Sequence, residues 1–192
     1  MTSEFAEPAG HRDGVFGLAR KDGRVLLVRN GRVARGGLAS WWDLPGGSTR
    51  PGETLPEALV REWREETGLA AEVRDLFLVA DGVKRRPEGP VLYTWRAFFF
   101  RVRSDGAPEP GPGIDAAAWV PEAELDARLQ APYHAALRAW LAGDRTVLGR
   151  IEWVEPAPEG GAPAGLPRDL LVIAACAAAG DQRTLAAQVE RA

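Results

Sequence analysis

Two apolar runs, residues 15–20 (VFGLAR) and 25–30 (VLLVRN), flank Lys21-Asp22-Gly23-Arg24. An Asp-Gly pair between strand-like segments marks a two-residue turn whose central residues take positive φ, so the pattern predicts a β-hairpin. Residues 31–53 are dense in Gly and Pro yet carry Trp41, Trp42 and Leu44, and read as a loop pinned by aromatics and broken by one short strand. Residues 54–67 (TLPEALVREWREET) follow a helical period, with Pro56 in the first turn and Gly68 just past the last. Residues 69–80 and 91–103 are apolar and aromatic-rich like strands, with a charged loop expected at 81–90 (DGVKRRPEGP). Residues 104–115 (SDGAPEPGPGID) read as a flexible or polyproline-like excursion, 116–120 as a short strand, and 121–129 and 133–143 as helical. A Pro-, Gly- and Ala-rich linker follows at 153–169. Beyond it, residues 170–192 read as two short helices or one interrupted at Gly180-Asp181, with Cys176 a small apolar residue among the alanines.

The composition narrows the class. With 192 residues, 45% hydrophobic and 27% charged, the chain supports one ordinary soluble core. The 27 acidic residues against 24 basic ones give a net charge of -3, which offers no generic attraction to nucleic acid or to an anionic membrane; the short Lys84-Arg85-Arg86 run does not indicate a dedicated nucleic-acid binder. The single cysteine closes no intrachain disulfide, and no Cys/His spacing suits zinc. The first residues carry Glu4 and Glu7 without an apolar signal region, and the apolar run at 170–180 is too short for a membrane span, so a cytoplasmic protein is expected.

The chemistry concentrates on the first helix. Glu62, Glu65 and Glu66 are spaced i, i+3, i+4 and share one side of it. Leu55, Ala58, Leu59 and Leu69 fall on the same broad side, so the carboxylates emerge from the face that packs on the domain. Like charges crowded as solvent is withdrawn need a cation, and a hard divalent ion, Mg²⁺ or Mn²⁺, accepts oxygen ligands while sharing them with substrate phosphates. Arg61 is in reach of Glu57 or Glu65 at i±4. Gly46, Gly47 and Gly52 allow backbone amides to approach anionic oxygen, but neither a Walker A loop nor a Rossmann GxGxxG fingerprint is present.

These residues resemble the Nudix hydrolase family. Residues 47–69 fit every fixed position of its box, GX5EX7REUXEEXGU, with Trp63 an unusually large choice at the apolar position U, and residues 42–47 (WDLPGG) are similar to the family's approach to that box. The resemblance covers residues 13–143 and implies an α/β fold, an α/β/α sandwich with a mixed sheet. The expected division is a leader at 1–12, a catalytic domain at 13–150, and a linker and helical extension at 151–192 that packs on the domain or on a partner subunit, leaving room for a homodimer.

Matching positions imply Glu62, Glu65 and Glu66 as metal-binding carboxylates, Glu53 as support for metal or loop geometry, Arg61 as the group orienting them, and Gly47 as a backbone contributor with a metal-facing carbonyl. The implied reaction is water attack on a pyrophosphate bond in a nucleotide-derived substrate, ADP-ribose or a related nucleotide sugar among the candidates. Pro87 lies in roughly the region where ADP-ribose hydrolases of the family carry a proline. The general base is Glu66 acting through water, or a loop carboxylate such as Asp115. Arg29, Trp42, Arg50 and Arg85 are candidate substrate contacts, with Trp41, Tyr93 and Trp95 either stacking on a base or anchoring the core. His11 and His134 are read as structural or exposed. The competing reading is a catalytically weak nucleotide-binding sensor or assembly module.

Overall fold

The Asp22-Gly23 turn forms as the sequence predicts. Both residues sit at positive φ, 49° and 70°, and join β1 (Gly10–Lys21) to β2 (Arg24–Ala34) with Lys21 opposite Arg24. The structure, a computed structural model, describes residues 10–34, 37–85, 89–131 and 134–154, of which 31–34, 37–40, 153 and 154 are described by backbone alone. The expected linker and helices after residue 154, with Cys176, lie outside the described residues, as do Arg35, Arg86, Pro87 and Tyr133.

Three segments expected as loops are ordered by pairing. β2 runs on through Ala34 and pairs antiparallel with β3 (Gly37–Asp43), so much of the Gly-rich stretch is a hairpin, and β4 (Gly46–Ser48) then pairs with β1. The charged segment after Ala80 continues β5 (Glu72–Arg85), with Asp81 to Arg85 laddered onto β6 (Val91–Arg103). Its charges become cross-strand pairs, Asp81 with Arg96 at 2.6 Å and Arg85 with Glu152, which reconciles a polar sequence with a strand. Residues 104–113 dock onto the first helix: Glu109 N donates to Thr67 O and Gly111 N to Glu66 O, caring for carbonyls that a helix C-terminus leaves open. Local propensity loses in each case to a neighbour that supplies backbone partners.

β7 (Ile114–Pro121) pairs with β2, and β8 (Leu148–Val154) runs parallel to β5. The main order is β3-β2-β1-β6-β5-β8, mixed because β1–β6 and β5–β8 are parallel and the other pairs antiparallel. β1 begins at Gly10, paired with Tyr93, so the last residues of the expected leader belong to the sheet. One face carries α1 (Leu55–Thr67) over Val15, Leu26, Phe100 and Val102; the other carries α2 (Leu125–Arg128) and α3 (Ala135–Leu141) over Leu27, Leu78, Ala97 and Phe99. That is the expected α/β/α layering. Among the described residues no helix is long and apolar enough to cross a membrane.

Trp63, the oversized residue of the acidic helix, has 0% exposure and fixes how α1 sits. It rests over Gly17 of β1, where an added Cβ would lie 2.5 Å from the indole, and its Nε1 donates to Ser104 Oγ at 3.2 Å. Gly17→Ala is therefore expected to destabilise by about 1–3 kcal/mol through overpacking, and Trp63→Leu to relieve part of that cost in the double variant. Urea denaturation of the four proteins in the cycle checks this; equal effects of Gly17→Ala in both backgrounds would separate the two residues energetically.

Candidate active site

The helix bearing the carboxylates is started by its own sequence. Thr54 is the N-cap, its hydroxyl accepting from Glu57 N while the Glu57 carboxylate accepts from Thr54 N at 2.8 Å. This capping box engages Glu57, so of the two expected partners of Arg61, Glu57 and Glu65, only Glu65 is met. Arg61 reaches back to Glu53 with two parallel bonds, Nε to Oε1 at 2.6 Å and Nη2 to Oε2 at 2.8 Å. Gly68 closes the helix in the left-handed conformation at φ 71°.

Arg61 is the hub of the cluster. Its Nη1 donates to Glu62 Oε1 at 2.7 Å and to Glu65 Oε2 at 3.4 Å, and Nη2 donates to Ser48 O at 3.1 Å. Arg50 adds a backbone bond to Glu53 at 2.9 Å and a side-chain contact to Glu65 at 3.4 Å. Glu66 leans the other way, its Oε2 accepting from Gly46 N at 2.9 Å. Gly47 abuts Glu62 so closely that an added Cβ would stand 2.7 Å from the carboxyl carbon, which explains why the position is bare. Arg61 and Glu62 keep 15% and 17% side-chain exposure against 49% for Glu65, so Glu65 is the carboxylate of this pair that meets water.

These surroundings move the titrations in opposite directions. The Arg61 hydrogen bonds and the Arg50 amide hold the Glu53 carboxyl down at about 2. Burial pushes Glu62 above its ordinary value, only partly offset by Arg61. Arg61 is itself raised, chiefly by Glu53.

The group holds four carboxylates, Glu53, Glu62, Glu65 and Glu66, and two guanidinium groups, Arg50 and Arg61, an excess of two negative charges when all are ionised. Hard oxygen donors with that excess fit a divalent cation, which would also favour ionised Glu62. In the described conformation the side chains are turned to Arg61, Arg50 and the Gly46 amide, and among the described residues no three His, Cys, Asp or Glu groups are arranged around a metal position.

The other sequence candidates fall elsewhere. Arg29 of β2 lies opposite Trp42 of β3, its guanidinium 5.7 Å from the ring centroid, and its buried Nε has no hydrogen-bond partner among the described residues. Arg128, which the sequence did not single out, stands 5.3 Å from the same ring. Trp42 thus offers its π surface to cations. Asp115 is exposed at the β2–β7 bulge beside Arg29 and Asn30. Arg85, at the end of β5, pairs with Glu152 of β8. Tyr93 and Trp95 are partly exposed neighbours on β6, with ring centroids 6.1 Å apart, and Trp95 packs against the core. The approach of the Gly46 amide to anionic oxygen was read from the paired glycines, but its partner Glu66 and the place of Arg128 beside Trp42 were missed, because both depend on positions distant in sequence.

A family model described as NUDIX domain matches residues 10–142. The chain belongs to the Nudix family, whose enzymes generally use divalent metal ions. An ADP-ribose pyrophosphatase of Methanocaldococcus jannaschii is 42% identical over 79 residues, 41% of this chain and 44% of the relative. A MutT-like protein of Streptomyces ambofaciens is 31% identical over 132 residues, 68% and 77% of the two chains. The fold is similar to that of a MutT protein from Bacillus halodurans, with a TM-score of 0.59 at 22% identity, covering 74% of this chain and 90% of the other. The chain spans less than half the length of several curated relatives it matches.

The depressed Glu53 titration has a signed consequence. A carboxylate whose folded value lies below its unfolded one stabilises fully above about 4.5 and loses that contribution as pH falls through about 2. The melting temperature of Glu53→Gln should therefore lie below that of the parent at neutral pH, with the gap closing across that window. A gap independent of pH would assign the effect to something other than the Glu53 charge.

Proposed function

We propose that the protein hydrolyses a pyrophosphate bond in a nucleotide or nucleoside-diphosphate derivative with the help of Mg²⁺ or Mn²⁺. The observation that carries this reading is the carboxylate cluster packed against the Gly46–Gly47 backbone with two negative charges in excess. The printed names of relatives, ADP-ribose pyrophosphatase, CTP pyrophosphohydrolase and RNA pyrophosphohydrolase, support the reaction type and disagree on the substrate.

On this reading Glu62, Glu65 and Glu66, with the Gly47 carbonyl, would hold the ion, which when bound would supply charge neutralisation at the pyrophosphate and a lowered pKa of the attacking water. Arg61 orders the carboxylates by holding Glu53 rigidly while releasing Glu62 and Glu65. Glu66 or Asp115 takes the proton from water as its oxygen attacks phosphorus and the bridging P–O bond breaks, leaving two phosphate-terminated products. Arg50, exposed at the mouth of the cluster, and Arg29 with Trp42 supply contacts to the anionic substrate. Arg85, engaged by Glu152, contributes only if substrate displaces that partner. ADP-ribose and related nucleotide sugars head the substrates to test.

A panel of nucleoside diphosphate sugars, nucleoside triphosphates and 5′-triphosphorylated RNA, assayed for nucleotide release with and without Mg²⁺ or Mn²⁺, is expected to show metal-stimulated cleavage of at least one class. Binding of nucleotide by folded protein with no metal-stimulated release across the panel would favour the sensor reading instead. Glu65→Gln and Glu66→Gln should each lower kcat about a hundredfold or more with the fold intact by circular dichroism. Near-parental metal-dependent rates in both would remove these residues from the chemistry.

A further inference from the structure

Outside the acidic helix, the interior contains a carboxylate and an imidazole joined across 91 residues of sequence. Asp43 is 3% exposed and His134 is 1% exposed, with His134 Nε2 2.9 Å from Asp43 Oδ1. The same oxygen accepts from Leu44 N at 2.8 Å. With Asp43 ionised the carboxylate can only accept, which assigns the donor role to the Nε2–H tautomer.

The placement of this pair is more informative than its strength. Asp43 ends β3 and opens the turn that leads to Gly46. Along that turn Leu44 is buried in the core, Pro45 O accepts from Gly17 N at 2.9 Å, and Gly46 N donates to Glu66 at 2.9 Å. His134 immediately precedes α3, whose Leu137 and Trp140 are buried in the core layer beneath the sheet. Apolar groups of similar shape often stabilise an interior as well as a buried hydrogen-bonded pair does, so stability alone does not account for this one. A directional bond does what apolar packing cannot: it fixes the rotation of the first peptide of the turn.

We propose that His134 and Asp43 form a positioning pair for the acidic cluster, locking the turn in the register where the Gly46 amide meets Glu66 and Gly47 abuts Glu62. Neither residue lies within the box, and neither touches the reacting groups. The pair makes α3, on the far face of the sheet, a structural determinant of carboxylate geometry on α1. Its effect on turnover rests on the reading of Glu66 given above, whereas its effect on Gly46 does not.

The test is made on the full chain with His134→Phe, which keeps an aromatic ring and removes the donor, and His134→Gln, whose amide can donate to Asp43. Amide hydrogen exchange followed by NMR should show Gly46 exchanging at least about tenfold faster in His134→Phe, while Phe99 in the sheet centre keeps parental protection. On the best substrate of the panel, kcat should fall at least about tenfold with KM within about threefold, and His134→Gln should recover most of both losses. A folded His134→Phe with parental Gly46 exchange overturns the proposal. Should that variant not fold, Asp43→Ala, which removes the acceptor, serves in its place: accelerated exchange at Gly46 supports the pairing and parental exchange overturns it. If the parent shows no metal-dependent turnover, the proposed function fails while the exchange measurement still decides the positioning role.

Discussion

The arrangement of the site depends on one guanidinium group and the five oxygens it meets. Arg61 sits largely out of water between Glu53, Glu62 and Glu65, and also reaches the Ser48 carbonyl at the end of β4. Its two-pronged bond to Glu53 ties the loop before the helix to the helix itself, while its remaining nitrogen is divided between two carboxylates that otherwise repel. Arginine suits this place because a planar fork bonds several acceptors at once and stays charged under burial. The same division gives the cluster a resting state: Glu62 and Glu65 are held close to one another by a cation that belongs to the protein.

That hub functions only because the helix is clamped from both sides. Beneath it, Trp63 fills the space that Gly17 leaves open, setting the height of α1 above β1. At its C-terminal end the segment at 104–113 bonds the backbone of Glu66 and Thr67, and at Gly111 the two segments approach so closely that an added Cβ would fall 1.7 Å from Glu65 O. At the β4 edge, Gly46 takes Glu66. The carboxylates thus project from a helix held by packing below, by a strap behind and by a strand in front, the preorganisation a multidentate site needs.

Much of this was legible in the chain. The Asp-Gly hairpin, the helix with its first-turn proline and its terminator, the strands flanking it and the acidic triad at i, i+3, i+4 all follow from local rules, and the complete box pointed to the family. What misled local reasoning was polarity: residues 81–85 and the Gly-rich stretch after Asn30 look like loops, yet are strands because adjacent strands offer backbone partners and opposite charges. Of the two helical partners read for Arg61, Glu65 is met at 3.4 Å, whereas Glu57 is engaged by Thr54 in the cap and Glu53 takes its place. A helical wheel treats each pair alone and does not register such competition.

The sequence by itself determined which groups are present and which face of the first helix they occupy, because helical spacing and capping are short-range properties written in adjacent residues. Only the tertiary structure decided what those groups meet: Glu66 the amide of Gly46, Asp43 the ring of His134, Trp42 the guanidinium groups of Arg29 and Arg128. Each of these contacts joins segments that are far apart along the chain. Their geometry is set by strand order and layer packing, quantities that no local pattern of residues encodes.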